Sequence, residues 1–139
     1  MSISTCRLNE LGYFVKEILE KFPSGVIILK GDLAAGKTTF VKEVVKALHV
    51  ETEVTSPTFS LQQCYGDSIY HYDMYNHGLE HFISLGMLEE LDKDGLHLVE
   101  WGNDELVDIL SSADIKTITI QITKTTNDTR QYEVDYAHA

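Results

Sequence analysis

The chain has 139 residues, 43% of them hydrophobic, and carries a net charge of −11 because it has 22 acidic residues and only 11 basic ones. This acidic balance disfavours tight direct binding to a nucleic-acid backbone, which has the same sign of charge. No apolar run reaches the roughly 18 residues of a membrane span, and the N-terminal segment lacks the apolar core of a signal peptide, so we expect a cytoplasmic protein.

The first half of the chain predicts a helix, a buried strand, a glycine-rich turn and a second helix. Apolar residues recur at helical spacing over residues 9–22, with Asn9 as the expected N-cap. Val26–Leu29 is a continuous, largely β-branched run, which is typical of a strand buried on both faces. A glycine-rich turn follows it, and residues 40–48 again have helical spacing. The polar residues 51–57 are expected to form a loop.

The middle of the chain predicts a hairpin followed by a helical segment. Thr58–Tyr65 and Ser68–Tyr72 have strand character, and Gly66 and Asp67 between them indicate a tight turn. Residues 78–92 have helical character with an interruption at Gly86.

The remaining elements complete the predicted fold. Leu96–Val99 is a second strand of the buried type, and Glu105–Leu110 predicts a short helix. Ile115–Thr123 and Gln131–Tyr136 alternate apolar and polar residues, which predicts an antiparallel hairpin at the C-terminus. The sequence therefore predicts one α/β domain over residues 1–139, with a mixed, partly parallel central sheet flanked by helices.

The turn after the first buried strand matches the phosphate-loop pattern G-x-x-x-x-G-K-[ST] in full. Glycines let the backbone wrap so that successive N–H groups face phosphate oxygens, and the following helix adds its positive N-terminal end. The lysine reaches the β- and γ-phosphates in such loops, and the hydroxyl binds Mg²⁺. A chance glycine turn is the alternative, but the strand before and the helix after favour a P-loop NTPase. The predicted nucleotide-binding residues of the loop are Gly31, Ala34, Ala35, Gly36, Lys37, Thr38 and Thr39.

Two carboxylates follow apolar strands and are candidates to complete a metal site with Thr38. Asp73 follows residues 69–72, and Glu100 follows Leu96–Val99. Ligands of open α/β sheets bind at the carboxyl ends of parallel strands, and a phosphate loop needs an acidic residue there to hold Mg²⁺. Each could instead be an ordinary solvated carboxylate at a strand end, but beside a phosphate loop we favour the metal site.

Other polar and aromatic residues are open to two interpretations. Thr55 and Ser56 offer hydroxyls on a predicted loop, which suits either a switch-like segment that senses the γ-phosphate or a plain turn. Trp101 is either a packing residue or, because it follows Glu100, an aromatic group near the nucleotide.

The cysteines and three of the histidines give no convincing metal pattern. Cys6 and Cys64 lack C-x-x-C spacing, so we expect them to be small buried or half-buried packing residues. His71, His77 and His81 are not spaced as a metal set, and we expect them on strand and helix surfaces.

Four blocks of sequence occur in order: the phosphate loop, Thr55–Phe59, His71–Tyr75 and Val99–Trp101. Leu11–Gly12 and Leu85–Gly86 are two shorter matches. Together these blocks closely resemble the bacterial tRNA threonylcarbamoyladenosine biosynthesis ATPase family, TsaE (formerly YjeE). The resemblance spans most of the chain.

The resemblance implies an Mg-ATP-hydrolysing ATPase that works with two partner proteins, TsaB and TsaD. In that family the partner complex attaches threonylcarbamoyl to the tRNA adenosine next to the anticodon. The ATPase binds that complex, and ATP hydrolysis resets it between turnovers. The transfer itself belongs to TsaD, and the acidic surface of this chain would suit a basic protein partner.

By motif position the resemblance also assigns roles to residues. Lys37 and the loop amides would bind the phosphates, and Thr38 would bind Mg²⁺. Asp73 matches the family's strand-end aspartate, and Glu100 matches its glutamate near the metal. Glu100 is also our candidate for orienting the attacking water, so it and Lys37 are the predicted catalytic residues.

The same comparison by motif assigns residues around the site. Trp101 matches the tryptophan beside that glutamate, and Thr55 and Ser56 fall in the family's mobile loop. Residues 8–12 and the chain near Arg130 are candidates for contacts with adenine, which adds Arg130 to the predicted nucleotide-binding residues.

One departure from the family pattern and two other functions stay open. The family loop usually has glycine where this chain has Ala34, which is tolerated if that residue does not need a positive φ. A small-molecule P-loop kinase is the first alternative, although the two arginines, Arg7 and Arg130, leave little for a phosphate-clamping lid. A nucleotide-sensing regulatory module without useful turnover is the second.

Overall fold

The computed structural model describes residues 2–32, 35–51, 62–75 and 78–139. Within these residues the chain forms a seven-stranded sheet and five α-helices. The strands are β1 (Ser2–Arg7), β2 (Gly25–Lys30), β3 (Gln62–Tyr65), β4 (Ile69–Asp73), β5 (Leu96–Glu100), β6 (Thr117–Lys124) and β7 (Thr129–His138). The helices are α1 (Leu11–Lys21), α2 (Lys37–Ala47), α3 (Leu79–Ser84), α4 (Met87–Leu91) and α5 (Asp104–Ser112).

The strands lie in the order β1-β7-β6-β2-β5-β4-β3. The four consecutive strands β6, β2, β5 and β4 run parallel to one another. The β6–β7, β1–β7 and β3–β4 pairs are antiparallel. The mixed, partly parallel sheet and its C-terminal antiparallel hairpin are therefore confirmed, and the carboxyl ends of β2, β4 and β5 meet at one edge.

Helices cover both faces of the sheet because the central strand is apolar on both sides. Ile27 and Leu29 pack into a cluster with the buried residues of α1 and α2. Val26 and Ile28 point the other way and pack with residues of α3, α4 and α5. Side chains alternate along a strand, so a continuous apolar run can supply both clusters.

The N-terminal segment differs from the prediction in two ways. Ser2–Arg7 forms a strand that the sequence analysis did not predict, and it pairs antiparallel with β7. Asn9 is not an N-cap, because Leu8–Glu10 forms a 3₁₀ turn and α1 begins only at Leu11. The Glu10 carboxylate closes this turn by accepting a 2.8 Å hydrogen bond from the backbone N–H of Arg7.

The other predicted elements are present with shifted ends. Gly86, at a φ of 79°, separates α3 from α4 where the interruption was predicted. Helix α5 is longer than predicted, since the Asn103 side chain caps it by accepting a 2.9 Å bond from the backbone N–H of Leu106. Of the predicted strand Thr58–Tyr65, the described part begins at Gln62. No helix in the described ranges is long and apolar enough to cross a bilayer.

Candidate functional site

The phosphate-loop sequence connects the carboxyl end of β2 to the first residue of α2. Gly31 has a φ of 154°, and a Cβ atom there would lie 2.6 Å from the carbonyl oxygen of Ile122. Gly36 has a φ of 115° and directly precedes the helix. Both positions therefore require glycine. The backbone N–H of Ala35 donates to the carbonyl of Asp32 at 3.1 Å, which closes the loop.

The Lys37 side chain lies inside this loop and is only 4% exposed. Its Nζ donates to the carbonyl oxygens of Gly31 and Asp32 at 2.7 Å and 2.9 Å. The same atom lies 3.8 Å from the centroid of the Trp101 ring. Burial lowers the pKa of Lys37, and the carboxylates of Glu100, Asp32 and Asp73 oppose this shift. The loop carbonyls and the Trp101 ring thus surround one desolvated ammonium group.

The two strand-end carboxylates lie on neighbouring strands. Asp73 of β4 and Glu100 of β5 are partners in the parallel register. The Thr38 hydroxyl, in the first turn of α2, is 3.1 Å from each carboxylate oxygen of Glu100. The fold therefore gathers Thr38, Asp73 and Glu100, the three residues that the sequence analysis proposes for the metal. Asp73 also accepts a 2.9 Å bond from the backbone N–H of Tyr75.

This set of oxygen atoms fits Mg²⁺ bound together with phosphates. Mg²⁺ usually takes one or two carboxylates from the protein and completes its coordination with water and substrate phosphates. A hydroxyl in contact with one carboxylate, beside a second strand-end carboxylate, provides such a set. Among the described residues, no group of three or more His, Cys, Asp or Glu side chains is placed to hold a metal by itself. The donor set thus fits a metal that is shared with a nucleotide.

His71 is the functional residue that the sequence analysis placed wrongly. We expected it on a surface, but its side chain is fully buried on β4. Its Nε2 lies 2.5 Å from Oε2 of Glu100, and its Nδ1 lies 2.9 Å from the Tyr65 hydroxyl. Strand alternation was the available signal, since His71 is two residues before Asp73 and so shares its face of the sheet. Of the other two histidines, His81 is exposed as predicted, and the second lies outside the described residues.

The two cysteines have different surroundings. Cys6 on β1 is buried, as predicted, and burial raises the pKa of its thiol. Cys64 on β3 is exposed, so the prediction of a buried or half-buried packing residue is wrong there. β3 is the last strand of the sheet order, and side chains on an edge strand are covered from fewer directions.

Trp101 lies directly after Glu100 and has an unusual backbone. Its φ is 66°, in the left-handed region that bulky residues rarely adopt and that costs about 1–3 kcal/mol. Its backbone N–H donates to the carbonyl of Leu29 at 3.3 Å, and its ring contacts the Tyr75 ring at 4.8 Å between centroids. This turn carries the indole over the Lys37 ammonium.

Arg130 joins the C-terminal hairpin to the phosphate loop. Its Nε donates to the carbonyl of Ala35 at 2.8 Å, and its Nη1 donates to the carbonyls of Thr126 and Thr129 at 3.1 Å and 2.9 Å. A cavity of about 540 Å³ adjoins this contact. Its lining includes Arg7, Leu8, Asn9, Gly36, Thr39 and Arg130. The segments that we proposed for adenine thus meet beside the loop.

Three of the predicted site residues lie outside the described part of the chain. They are Ala34 in the phosphate loop and the switch-like pair Thr55 and Ser56. Gly31, Ala35, Gly36, Lys37, Thr38, Thr39, Asp73, Glu100, Trp101 and Arg130 are all described and lie in or beside the loop. The roles of these residues stay predictions.

The chain is similar to known proteins over most of its length. A family model described as threonylcarbamoyl adenosine biosynthesis protein TsaE matches residues 4–132. The crystal structure of Bacillus subtilis YdiB superposes with a TM-score of 0.69 and 25% identity, covering 98% of this chain and 87% of that one. That similarity confirms the P-loop fold.

Several similar proteins carry the name tRNA threonylcarbamoyladenosine biosynthesis protein TsaE, among them one from Treponema pallidum and one from Bacillus subtilis. The Treponema pallidum protein is 40% identical over 94 residues, which cover 66% of this chain and 68% of that protein. The Bacillus subtilis protein is 40% identical over 84 residues, which cover 58% of this chain and 52% of that protein. The match thus spans about half the length of some of these relatives. Because the family model covers nearly the whole sequence, the chain belongs to the TsaE family.

Proposed function

We propose that this chain is an Mg-ATP-hydrolysing accessory ATPase of tRNA threonylcarbamoyladenosine biosynthesis, and that it resets a complex of the partner proteins TsaB and TsaD. The observation that carries the proposal is the cluster at the carboxyl edge of the sheet. There the buried Lys37 ammonium lies within the glycine loop, and the Thr38 hydroxyl touches the Glu100 carboxylate. A loop of this kind suits phosphates, and the hydroxyl–carboxylate pair suits the metal that accompanies them.

The residues divide into those that bind phosphate and those that hold the metal. Lys37 and the backbone N–H groups of the loop bind the β- and γ-phosphates. Thr38, Asp73 and Glu100 would hold Mg²⁺, and the metal would supply positive charge beside the phosphate oxygens. Glu100 is also the group that orients the attacking water, because its carboxylate is buried and anchored at the end of β5.

The nucleoside part of ATP is assigned to the cavity beside Arg130. This cavity adjoins Gly36 and Thr39, so a molecule whose phosphates lie in the loop can extend into it. Leu8 supplies an apolar contact for a base, and Asn9 supplies hydrogen-bonding groups. Arg130 then contributes by holding the loop backbone at Ala35 as well as by lining the cavity.

The assignment of this chain to tRNA modification rests on its membership of the TsaE family. The names of the family and of the relatives give the pathway, tRNA threonylcarbamoyladenosine biosynthesis. The partners TsaB and TsaD are our proposal, because the chain covers only part of some relatives. We propose that the chain acts in the cytoplasm and binds the partner complex, while contributing little direct affinity for tRNA. Its net charge of −11 supports the last point, because the tRNA backbone is also negative.

The test is phosphate release from Mg-ATP by the purified protein, alone and with its cognate TsaB–TsaD pair. We expect slow release alone and a clear rise that requires both partners together. The matched control replaces Lys37 with alanine, and it should abolish the rise. If complex formation is demonstrated but phosphate release does not increase, the ATPase proposal fails and a nucleotide sensor takes its place. Transfer of phosphate to an added metabolite would instead indicate a kinase.

A further inference from the structure

We propose that His71 is a positioning residue for Glu100. Its Nε2–H holds one oxygen of the carboxylate, and the Tyr65 hydroxyl fixes the imidazole in the tautomer that can do so. Glu100 then faces Thr38 and the metal in one orientation. This inference deepens the proposed function and rests on the assignment of Glu100 to the metal site.

For a neutral imidazole, the hydrogen-bonding capacities of the three groups assign the direction of each bond. A carboxylate only accepts hydrogen bonds, so Nε2 of His71 carries the proton at the 2.5 Å contact with Glu100. In a neutral imidazole the other nitrogen is then an acceptor, and the Tyr65 hydroxyl donates to Nδ1 at 2.9 Å. The relay therefore runs from Tyr65 through His71 to Glu100.

Burial keeps water from replacing these bonds. Tyr65, His71 and Glu100 are 1%, 0% and 3% exposed. A buried carboxylate that lost its partner would keep its full desolvation cost, because no solvent could take the partner's place. The contact with His71 is thus a strong restraint on the carboxylate.

The sheet fixes the three groups relative to one another. They lie on the adjacent strands β3, β4 and β5, and each contact is diagonal in the register. His71 pairs with Leu98, two residues before Glu100, and Tyr65 pairs with Ile69, two residues before His71. Diagonal neighbours on one face are within reach of long side chains. The relay therefore depends on strand register and needs no loop to hold it.

The restraint matters because Glu100 has two tasks. Both of its oxygens lie 3.1 Å from the Thr38 hydroxyl, so rotation about the last side-chain bond would exchange them without changing that distance much. The bond from His71 to Oε2 distinguishes the two oxygens and opposes this rotation. Groups that orient metal-binding carboxylates and histidines typically change metal affinity or activity about 10–100-fold when they are replaced.

The experiment compares ATP affinity with and without Mg²⁺, by calorimetry with a non-hydrolysable ATP analogue. The measured quantity is the ratio of the Kd in EDTA to the Kd in Mg²⁺. For His71→Leu we expect this ratio to fall about tenfold, while the Kd in EDTA stays near the wild-type value. His71→Gln keeps an N–H donor and should restore most of the ratio. Tyr65→Phe should give an intermediate value, because the tautomer is no longer fixed.

The chain offers a matched control on the opposite face of the sheet. His97 is also fully buried, and its Nδ1 lies 2.7 Å from the Tyr72 hydroxyl. His97→Leu and Tyr72→Phe therefore remove similar groups without touching Glu100. Both should lower the thermal midpoint and leave the Mg²⁺ ratio unchanged.

Each outcome decides a different point. If His71→Leu loses stability but keeps the wild-type ratio, His71 is a packing residue and the inference is overturned. If that variant does not fold, the other two variants decide. A wild-type ratio in Tyr65→Phe, or a ratio in His71→Gln that falls about tenfold, would overturn the proposed relay. If the wild-type protein itself shows no Mg²⁺-dependent nucleotide binding, the proposed function fails, which is distinguishable from failure of the relay alone.

Discussion

Lys37 carries a positive charge into a part of the protein that solvent hardly reaches. The desolvation cost is offset by the carbonyl oxygens of Gly31 and Asp32 and by the Trp101 ring. Carbonyl dipoles are weaker partners for an ammonium than a phosphate, which carries full charge. The free energy gained when phosphate contacts Lys37 is therefore expected to be a large part of the binding free energy.

Lys37→Ala should accordingly weaken ATP binding by about tenfold or more, since a hydrogen bond to a charged group contributes about 1.5–3 kcal/mol. Titration calorimetry with ATP and Mg²⁺ measures the effect. Lys42→Ala is the matched control, because Lys42 lies on the same helix and is exposed. Wild-type ATP affinity in the Lys37 variant would contradict the whole site assignment.

Glu100→Gln separates binding from hydrolysis. The amide keeps the size of the side chain and one oxygen for the metal, but it loses the charge that orients an attacking water. We expect phosphate release in the presence of TsaB and TsaD to fall about 100-fold or more, with ATP binding in EDTA retained. Glu105→Gln on the exposed surface of α5 should release phosphate at the wild-type rate. Unchanged release in the Glu100 variant would favour a sensor.

His97 makes the stability of the fold depend on pH. Burial lowers the pKa of His97 below its ordinary value of 6.5, and its bond to the Lys93 carbonyl and the nearby Glu90 carboxylate oppose this shift. The unfolded chain therefore binds a proton at His97 more readily than the folded one does. The contribution of neutral His97 to the stability of the fold is fully present above pH 6.5. It is lost as the pH falls through the lowered folded-state pKa of His97.

Urea unfolding at a series of pH values tests this assignment. The free energy of unfolding should fall below pH 6.5 in the wild-type protein and fall less in His97→Gln. His81→Gln removes an exposed histidine and should leave the wild-type slope unchanged. If the His97→Gln variant and the wild-type protein lose the same free energy of unfolding below pH 6.5, another group controls the pH dependence.

Single residues could be predicted from the sequence where a local pattern defines the chemistry. The spacing of Gly36, Lys37 and Thr38 predicts their place without knowledge of the rest of the chain. His71 was placed wrongly because its burial depends on pairing with β5, which follows it in the sequence across a long connection. The bond from Arg130 to the loop carbonyl is of the same kind, since it joins residues 95 positions apart.

The C-terminal hairpin supports the phosphate loop from the side. In its register Lys124 pairs with Arg130, and Arg130 reaches out of the hairpin to the carbonyl of Ala35. Another close approach follows from β6, where the carbonyl of Ile122 lies against Gly31. The loop conformation therefore depends on two strands that enter the sequence long after it.

Arg130→Ala should weaken ATP binding about tenfold without unfolding the protein, because a charge-assisted bond to the loop backbone is lost while the strand pairing remains. Lys124→Ala is the matched control, since Lys124 lies opposite Arg130 in the hairpin and is exposed. Titration calorimetry reports the affinity, and circular dichroism reports the fold. If both variants bind ATP as the wild type does, the bond from Arg130 to the Ala35 carbonyl is unimportant for ATP binding.

Elements with a strong local pattern were predicted well, and an element held by distant partners was missed. Val26–Leu29 and Leu96–Val99 are apolar throughout and form β2 and β5 as expected. β1 has mostly small polar residues with little alternation of hydrophobicity, so nothing local marks it as a strand. Its pairing with β7 supplies the stabilisation, and that contact is not visible in a local pattern.

The parallel inner strands explain why residues from distant segments form one cluster. Strands β6, β2, β5 and β4 lie side by side and run in the same direction, so Asp73, Glu100 and the phosphate loop all emerge at the same edge. The sequence predicted this gathering through the general rule for parallel sheets. It did not predict the order of the strands, which depends on pairings across the whole chain. The assignment of residues 1–139 to one domain stays a prediction.

The net charge of −11 predicts how the protein meets its proposed partners. We expect its affinity for the TsaB–TsaD complex to fall when salt is raised from about 0.05 M to about 0.5 M, because attraction between exposed opposite charges is screened. Fluorescence anisotropy of the labelled protein at each salt concentration measures this. ATP binding to the protein alone is the control for general salt effects. An affinity that does not change with salt would rule out an electrostatic contribution.

The link between Arg130 and Ala35 also bears on how the protein is made. The ribosome adds Ala35 of the phosphate loop 95 residues before it adds Arg130, whose side chain bonds to the Ala35 carbonyl. A nascent chain that has reached the end of α2 thus has the whole phosphate-loop sequence. It has neither β6 beside β2 nor the bond from Arg130 to Ala35. Domains generally fold as units, so the phosphate loop gains this support only after β6 and β7 have been synthesised. We therefore expect full affinity for nucleotide only after β6 and β7 have been synthesised and have paired.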